Sequence, residues 1–261
     1  MQVIPIKTGR ISPRDSLIDR ILRSIQSSGV GLEDGDIVAI ASKVVSVVEG
    51  RIVDLTSVQP SQKAQELATH YQIDPQFVEV ILKEADEILG GVYRTLLTIK
   101  DDIMIANAGA DLSNNPKGYI TLWPKNPSGS ADRIRKELEK RIRKKLIVLI
   151  IDSRTTPLRL GTSGIAIGIS GINPIKDYRG RRDLFGKKLI VTTLAVADAL
   201  ASAAHLVMGE GDEAIPLAII RNSEINVDRD HNPEIAKMPK ERCLYMKVLQ
   251  EYMKKSEGNK L

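Results

Sequence analysis

Leu146-Ile-Val-Leu-Ile-Ile-Asp152-Ser153 is the strongest strand signal in the chain. Six aliphatic residues run without interruption, and an acid follows at once. Upstream, Ser130 or Asp132 caps a charged helix that reaches about Lys145. Downstream, Gly164-Ile-Ala-Ile-Gly-Ile-Ser-Gly171 is a second apolar run, with glycine where another backbone or a ligand approaches closely. Further on come a basic, turn-rich loop, a strand over Leu189 to Thr193, and an alanine-rich helix over Ala195 to Met208. A last strand covers Ile215 to Ile220, and Asn232-Pro233 opens a helix to about Lys255 that ends in a polar tail.

Toward the N-terminus, residues 2–6 read as a short strand, and Pro13 and Asp15 open an amphipathic helix. Asp36-Ile-Val-Ala-Ile-Ala41 is a buried strand, with Val44 to Val48 continuing apolar. Ser61 to Tyr71 and Asp74 to Ile88 carry helix-start residues. Val92 to Ile99 and Ile103 to Ala106 form a hairpin across Lys100-Asp101-Asp102. This irregular order predicts an α+β fold with mixed or antiparallel sheets and packed helices, rather than a doubly wound sheet.

The chain has 261 residues, 42% of them hydrophobic but only 3% aromatic, so its core must be built from Ile, Leu, Val and Ala. A net charge of +5 suits anionic ligands such as nucleotides. The single cysteine, Cys243, excludes an internal disulfide framework and reads as a half-buried packing residue. There is neither a signal-peptide core at the start nor a run long enough to cross a membrane, so a soluble, cytoplasmic protein is expected.

Three acidic segments stand out: Asn107-Ala-Gly-Ala-Asp111-Leu-Ser-Asn114, Ile150-Ile-Asp152-Ser-Arg-Thr155 and Met208-Gly-Glu210-Gly-Asp-Glu213. Each sets a carboxylate among Gly, Ser, Thr or Asn at the edge of an apolar run. Hard divalent cations take such oxygens, and a cation so held commonly anchors a nucleotide phosphate. Asp and Gly are also ordinary turn residues. The reading therefore requires side chains at 111, 152 and 210 to converge on one cation.

No P-loop and no Rossmann glycine spacing occurs, so phosphate must be held otherwise. His70, His205 and His231 lack ligand spacing, and His205 reads as a packing or surface residue. The mixed charges of Arg133 to Lys145 make a solvated helix face. The denser loop Arg179 to Lys188 is either a solubilising surface or an anion clamp.

Taken in order, these pieces resemble the coenzyme F420-0:L-glutamate ligase (gamma-glutamyl ligase) family over nearly all of residues 1–221. The resemblance is carried by Ser42-Lys-Val-Val-Ser, Glu49-Gly-Arg51, Asn107 to Asn114, Asp152 with Pro157-Leu-Arg159 and Gly161, Ala166 to Gly171, Asp177-Tyr-Arg-Gly180, Asp183 to Gly186, Val196-Ala-Asp198 and Met208 to Gly211. It implies a GTP-dependent amide ligase that adds L-glutamate to a deazaflavin coenzyme precursor, on an α+β fold forming an intertwined homodimer. It implies Mg²⁺ or Mn²⁺ on Asp111, Asp152, Ser153 and Glu210. It implies nucleotide contacts at Thr8, Gly9, Arg10, Ile11, Ser42, Lys43, Asn114, Met208, Gly209, Gly211, Asp212 and Glu213, extending to Ile215. No general base is assigned.

Residues 1–221 then form the catalytic region, and 222–261 a C-terminal helix and tail. The chain departs from the family pattern at Val47, usually lysine, at Ser153, usually threonine, at Arg154-Thr-Thr156, which lacks a glycine, and at Thr8-Gly-Arg-Ile11. Arg154, Arg159, Arg179 and Arg182 are candidate anion contacts. A paralogous ligase with another acceptor is the alternative reading. Nucleic-acid binding is a weaker one, because phosphate would meet unneutralised carboxylates and the aromatic interleaving is missing.

Overall fold

The computed structural model describes residues 1–230 and 232–249. Its centre is a five-stranded sheet in the order β1 (Gln2–Ile6), β12 (Leu217–Arg221), β2 (Ile37–Ala41), β8 (Ile147–Thr155), β9 (Thr162–Ser170). Only β2 and β8 pair in parallel; the other neighbours are antiparallel. Aliphatic runs suit both central strands because both faces are covered. Val38, Ile40, Val148 and Ile150 pack toward α1 (Leu17–Ser27) and α5 (Pro127–Ile142). Ile37, Ala39, Ile147, Leu149 and Ile151 pack toward α6 (Val196–Met208). Each such aliphatic residue contributes about 1.5–3 kcal/mol of burial. The alanines of α6 let it lie close to β9, where a side chain at Gly164 would strike the Ala201 carbonyl.

A second core fills residues 52–122. Phe77, Val78, Ile81, Leu96 and Ile120 are buried there together. They come from α4 (Pro75–Glu84), from the meander β4 (Glu87–Val92), β5 (Thr95–Lys100), β6 (Ile103–Ala106), and from the ribbon of β3 (Ile52–Asp54) with β7 (Tyr119–Thr121). α3 (Gln62–Tyr71) closes it with Ala64 and Ala68. The caps are Ser61 and Asp74, as their side-chain chemistry predicts. The β5–β6 hairpin turns on Asp101 and Asp102, both at positive φ (51° and 61°), the conformation a two-residue connection favours.

Several boundaries differ from the sequence expectation. Val44 to Val48 belongs to a short helix, α2 (Ser42–Val48), whose Val45 enters the main core. α1 is capped by Ser16, while Asp15 instead accepts the Ser12 amide at 2.6 Å. α4 stops at Glu84, and β4 takes the following residues. Asn126 caps α5, with Pro127 in its first turn, and Arg143 ends it in the left-handed conformation.

Of the strand expected over Leu189 to Thr193, only Thr193 lies in one. The chain instead makes an arm between β10 (Ile175–Asp177) and β11 (Thr193–Ala195), on which Leu184, Phe185, Ile190 and Val191 are exposed. Past β12, short 3₁₀ turns at Pro233–Ala236 and Lys240–Arg242 precede helical residues 244–249. The end of the expected C-terminal helix, and His231, lie outside the described residues.

Candidate active site

The parallel ladder sets the floor of the site. Ala41 on β2 pairs with Ile151 on β8, so the next residues, Ser42 and Asp152, meet at the same sheet end. Ser42 Oγ donates to Asp152 Oδ2 at 3.1 Å, and the Ser153 amide donates to Oδ1 at 2.7 Å. The indole N–H of Trp123 also donates to Oδ2. Asp152 keeps part of its surface open, yet the surrounding protein strips enough hydration to push its carboxyl up to about 6. The three donors oppose that rise, and the negative charge of Asp111 adds to it.

Asp111 arrives differently. Asn107, Ala108 and Gly109 are all left-handed (φ 52°, 52° and 70°). Gly109 has a second reason to be glycine, since a Cβ there would overlap the Trp123 indole. Paired hydrogen bonds with Thr121 then fix the Asp111 backbone (2.9 and 3.0 Å). Its Oδ1 accepts from the Ser113 amide at 2.7 Å, and Oδ2 pairs with Lys43 Nζ at 2.5 Å. Lys43 also donates to the Ser113 carbonyl.

The third segment follows α6. Gly209 leaves the helix at φ 75°, and Glu210 Oε1 accepts from Thr162 Oγ1 at 2.6 Å and contacts His205 Nε2 at 2.8 Å. Asn114 Nδ2 donates to the Gly211 carbonyl at 2.9 Å, tying this loop to the Asp111 loop. The Gly211 amide donates to Glu213 Oε2 at 2.8 Å, and the Thr8 amide to the Ala214 carbonyl at 3.2 Å.

These segments enclose one cavity of about 730 Å³, inside the range of roughly 300–1,000 Å³ usual for small-molecule sites. Gly9, Arg10, Ile11, Ser42, Lys43, Asp111, Asn114, Asp152, Ser153, Met208, Gly209, Glu210, Gly211, Asp212, Glu213 and Ile215 all line it, so the sequence candidates for metal and nucleotide come together. Thr8 stands just outside the wall, its hydroxyl donating to the Gly9 carbonyl at 2.7 Å. One wall is apolar: Val44, Val47, Ile52 and Leu122, with Tyr119 at its edge.

Among the described residues, no group of three or more His, Cys, Asp or Glu side chains is gathered tightly enough to hold a metal ion. Asp152 senses the charge of Asp111, while Glu210 is turned to His205 and Thr162.

The four candidate arginines lie elsewhere. Arg154 pairs with Asp198 at 3.4 Å and lines a smaller cavity under residues 233–246. Arg159 is exposed in the loop after β8. On the arm, Arg179 is bound to Asp177 at 2.6 Å, and Arg182 donates to the Gly186 carbonyl at 2.6 Å. The sequence reading also missed two residues of this neighbourhood. His205 lines the cavity beside Glu210 rather than serving packing alone, and Trp123 backs the floor. Their signals were present: His205 lies five residues before Glu210, and Trp123 is the chain's only tryptophan.

The donor set suits a hard cation. Asp152 is an anion made costly by burial and by Asp111, and a divalent ion between the two would relieve both penalties. Serine and carboxylate oxygens without cysteine favour magnesium or manganese over a thiophilic metal.

A cavity with an acidic floor, a lysine and glycine-bearing loops marks the class of proteins that bind a small molecule in an internal cleft. Comparison with known proteins narrows that class. The family model for F420-0:Gamma-glutamyl ligase matches residues 5–222. The chain is 44% identical over 215 residues to the coenzyme F420:L-glutamate ligase of Methanocaldococcus jannaschii, covering 82% of this chain and 86% of the relative. It is 38% identical over 238 residues to that of Methanopyrus kandleri (91% and 92%), and 40% identical over 208 residues to that of Methanothermobacter thermautotrophicus (79% and 82%). The chain belongs to the F420-0:gamma-glutamyl ligase family.

Proposed function

We propose that the protein is a GTP- and divalent-metal-dependent ligase of coenzyme F420 biosynthesis. It joins the amino group of L-glutamate to a carboxylate of the deazaflavin precursor, in the cytoplasm. The observation that carries this reading is the shared cavity, in which Asp111 and Asp152 meet Lys43 and the loops at 9–11 and 208–215.

A carboxylate is a poor electrophile and must first be activated. One of its oxygens attacks the γ-phosphorus of GTP, the bond to the β,γ-bridging oxygen breaks, and GDP leaves. The uncharged amine of glutamate then attacks the acyl carbon, phosphate departs, and the amide nitrogen loses its proton. Asp111 and Asp152 would hold the metal, with Ser153 supplying a further oxygen and Glu210 joining once it leaves His205 and Thr162. When bound, that metal neutralises the phosphate oxygens on which charge accumulates. Lys43 places a second positive charge beside them. Ser42, Asn114 and the 208–213 loop orient the nucleotide, and the apolar wall at Val44, Val47 and Ile52 keeps water from the activated carboxyl.

A homodimer fits the exposed Leu184, Phe185, Ile190 and Val191 of the arm, an apolar surface that a second copy would cover. The deciding measurement is phosphate release from GTP by the purified protein with Mg²⁺ or Mn²⁺. Release is expected only when both L-glutamate and the deazaflavin precursor are present; release independent of glutamate would overturn the reading.

A further inference from the structure

Trp123 is 1% exposed, one residue behind the cavity wall at Leu122. It touches both acidic segments. Its indole N–H donates to Asp152 Oδ2, and its ring lies against Gly109, two residues before Asp111. Its own carbonyl accepts Arg51 Nε at 2.9 Å, and Arg51 is anchored to Glu84 at 2.8 Å. With Ser42 Oγ on the same oxygen, Oδ2 of Asp152 carries two donors, whereas Oδ1 carries the neighbouring Ser153 amide.

We infer that Trp123 is a positioning residue, pinning Oδ2 so that Oδ1 faces the cavity, and setting the gap between Asp152 and the Asp111 loop through Gly109. This inference rests on the reading that Asp152 holds the cation. A carboxylate fixed by its neighbours loses less rotational freedom on coordination, and such outer contacts commonly change metal affinity by about 10–100-fold. A second consequence is optical. The only indole in the chain is bonded to a metal-binding carboxylate, so cation binding must alter its surroundings.

The test uses the full chain and metal alone. Free Mn²⁺ is counted by electron paramagnetic resonance for the wild type, Trp123→Phe and Asp152→Asn. Mg²⁺ is titrated against wild-type tryptophan emission. The expected result is a saturating emission change in the wild type that tracks displacement of Mn²⁺ by Mg²⁺ and is absent in Asp152→Asn. Trp123→Phe should bind Mn²⁺ about tenfold more weakly, the effect of losing one hydrogen bond to a charged group. Its turnover should recover at saturating Mn²⁺, a change in the metal KM that general damage to the fold would not give. Wild-type affinity in Trp123→Phe, or unchanged emission at saturating Mg²⁺, overturns the inference. Should Trp123→Phe fail to fold, the wild-type emission titration still decides. A wild type that binds no Mn²⁺ overturns the metal reading itself, and this inference with it.

Discussion

Asp111 and Asp152 have the same chemistry, yet the protein builds them in opposite ways. Asp152 extends a strand buried on both faces and is held by hydrogen bonds alone, so its charge is expensive. Asp111 follows a left-handed turn, is 45% exposed at its side chain, and is neutralised by Lys43. One carboxylate is held on a buried strand and destabilised as an anion; the other follows a left-handed turn and is satisfied in its charge. A cation bound between them would gain position from the first and tolerance from the second.

The comparison breaks most visibly in catalysis. Asp152→Asn and Asp111→Asn are each expected to lower turnover by about a thousandfold, the scale of losing a principal electrostatic contact. Phosphate release assayed at saturating GTP and metal checks this. Gly109→Ala should be next, since it places a Cβ against the indole and forces alanine to positive φ. A loss of about 2–4 kcal/mol is expected in denaturant unfolding, with the Asp111 side of the site failing first.

The stability of the metal-free protein separates the two carboxylates by sign. At pH 7.5 Asp152→Asn should raise stability by about 1–3 kcal/mol, because it removes a desolvated anion. Asp111→Asn should lower it by less than about 1 kcal/mol, because its ion pair is exposed to solvent. Thermal unfolding of both variants distinguishes these outcomes; equal shifts would erase the contrast.

The pH dependence sharpens the same point. The folded-state pKa of Asp152 is raised to about 6 from 3.8. Its contribution to stability is therefore complete below about pH 4 and is lost as pH rises through about 6. Unfolding midpoints between pH 4 and 8 should fall across that window in the metal-free wild type. They should fall less in Asp152→Asn, and the wild-type decline should shrink when Mn²⁺ is added.

Much of this was legible in the chain. Uninterrupted aliphatic runs gave the central strands, because a strand covered on both faces admits no polar residue. The cap chemistry of Ser61 and Asp74 and the Asp101-Asp102 turn worked locally and were read correctly. What failed was decided at a distance. Val44 to Val48 is rich in β-branched residues, yet the main core takes Val45 from a helical turn there. Leu189 to Val191 is apolar, but residues 189–192 meet only scattered backbone bonds from Tyr178, Gly180 and Arg181, so they stay in the arm and the strand begins at Thr193. For the site, the ordered series of motifs, the acidic segments among them, carried the resemblance to the family that the comparisons show. The pairing of Glu210 with His205 and Thr162, and of Trp123 with Asp152, came from contacts that sequence spacing does not encode.

The parallel register of β2 and β8 also constrains how the molecule comes into being. Ser42 and Asp152 stand 110 positions apart, and the whole second core is spelled out between them. Long-range pairings of that kind form slowly, after local hairpins and helices. A nascent chain that has emerged only as far as β7 holds the α3–α4 layer and its meander, but no binding floor. Ligand can therefore stabilise only the finished molecule, never an early folding intermediate.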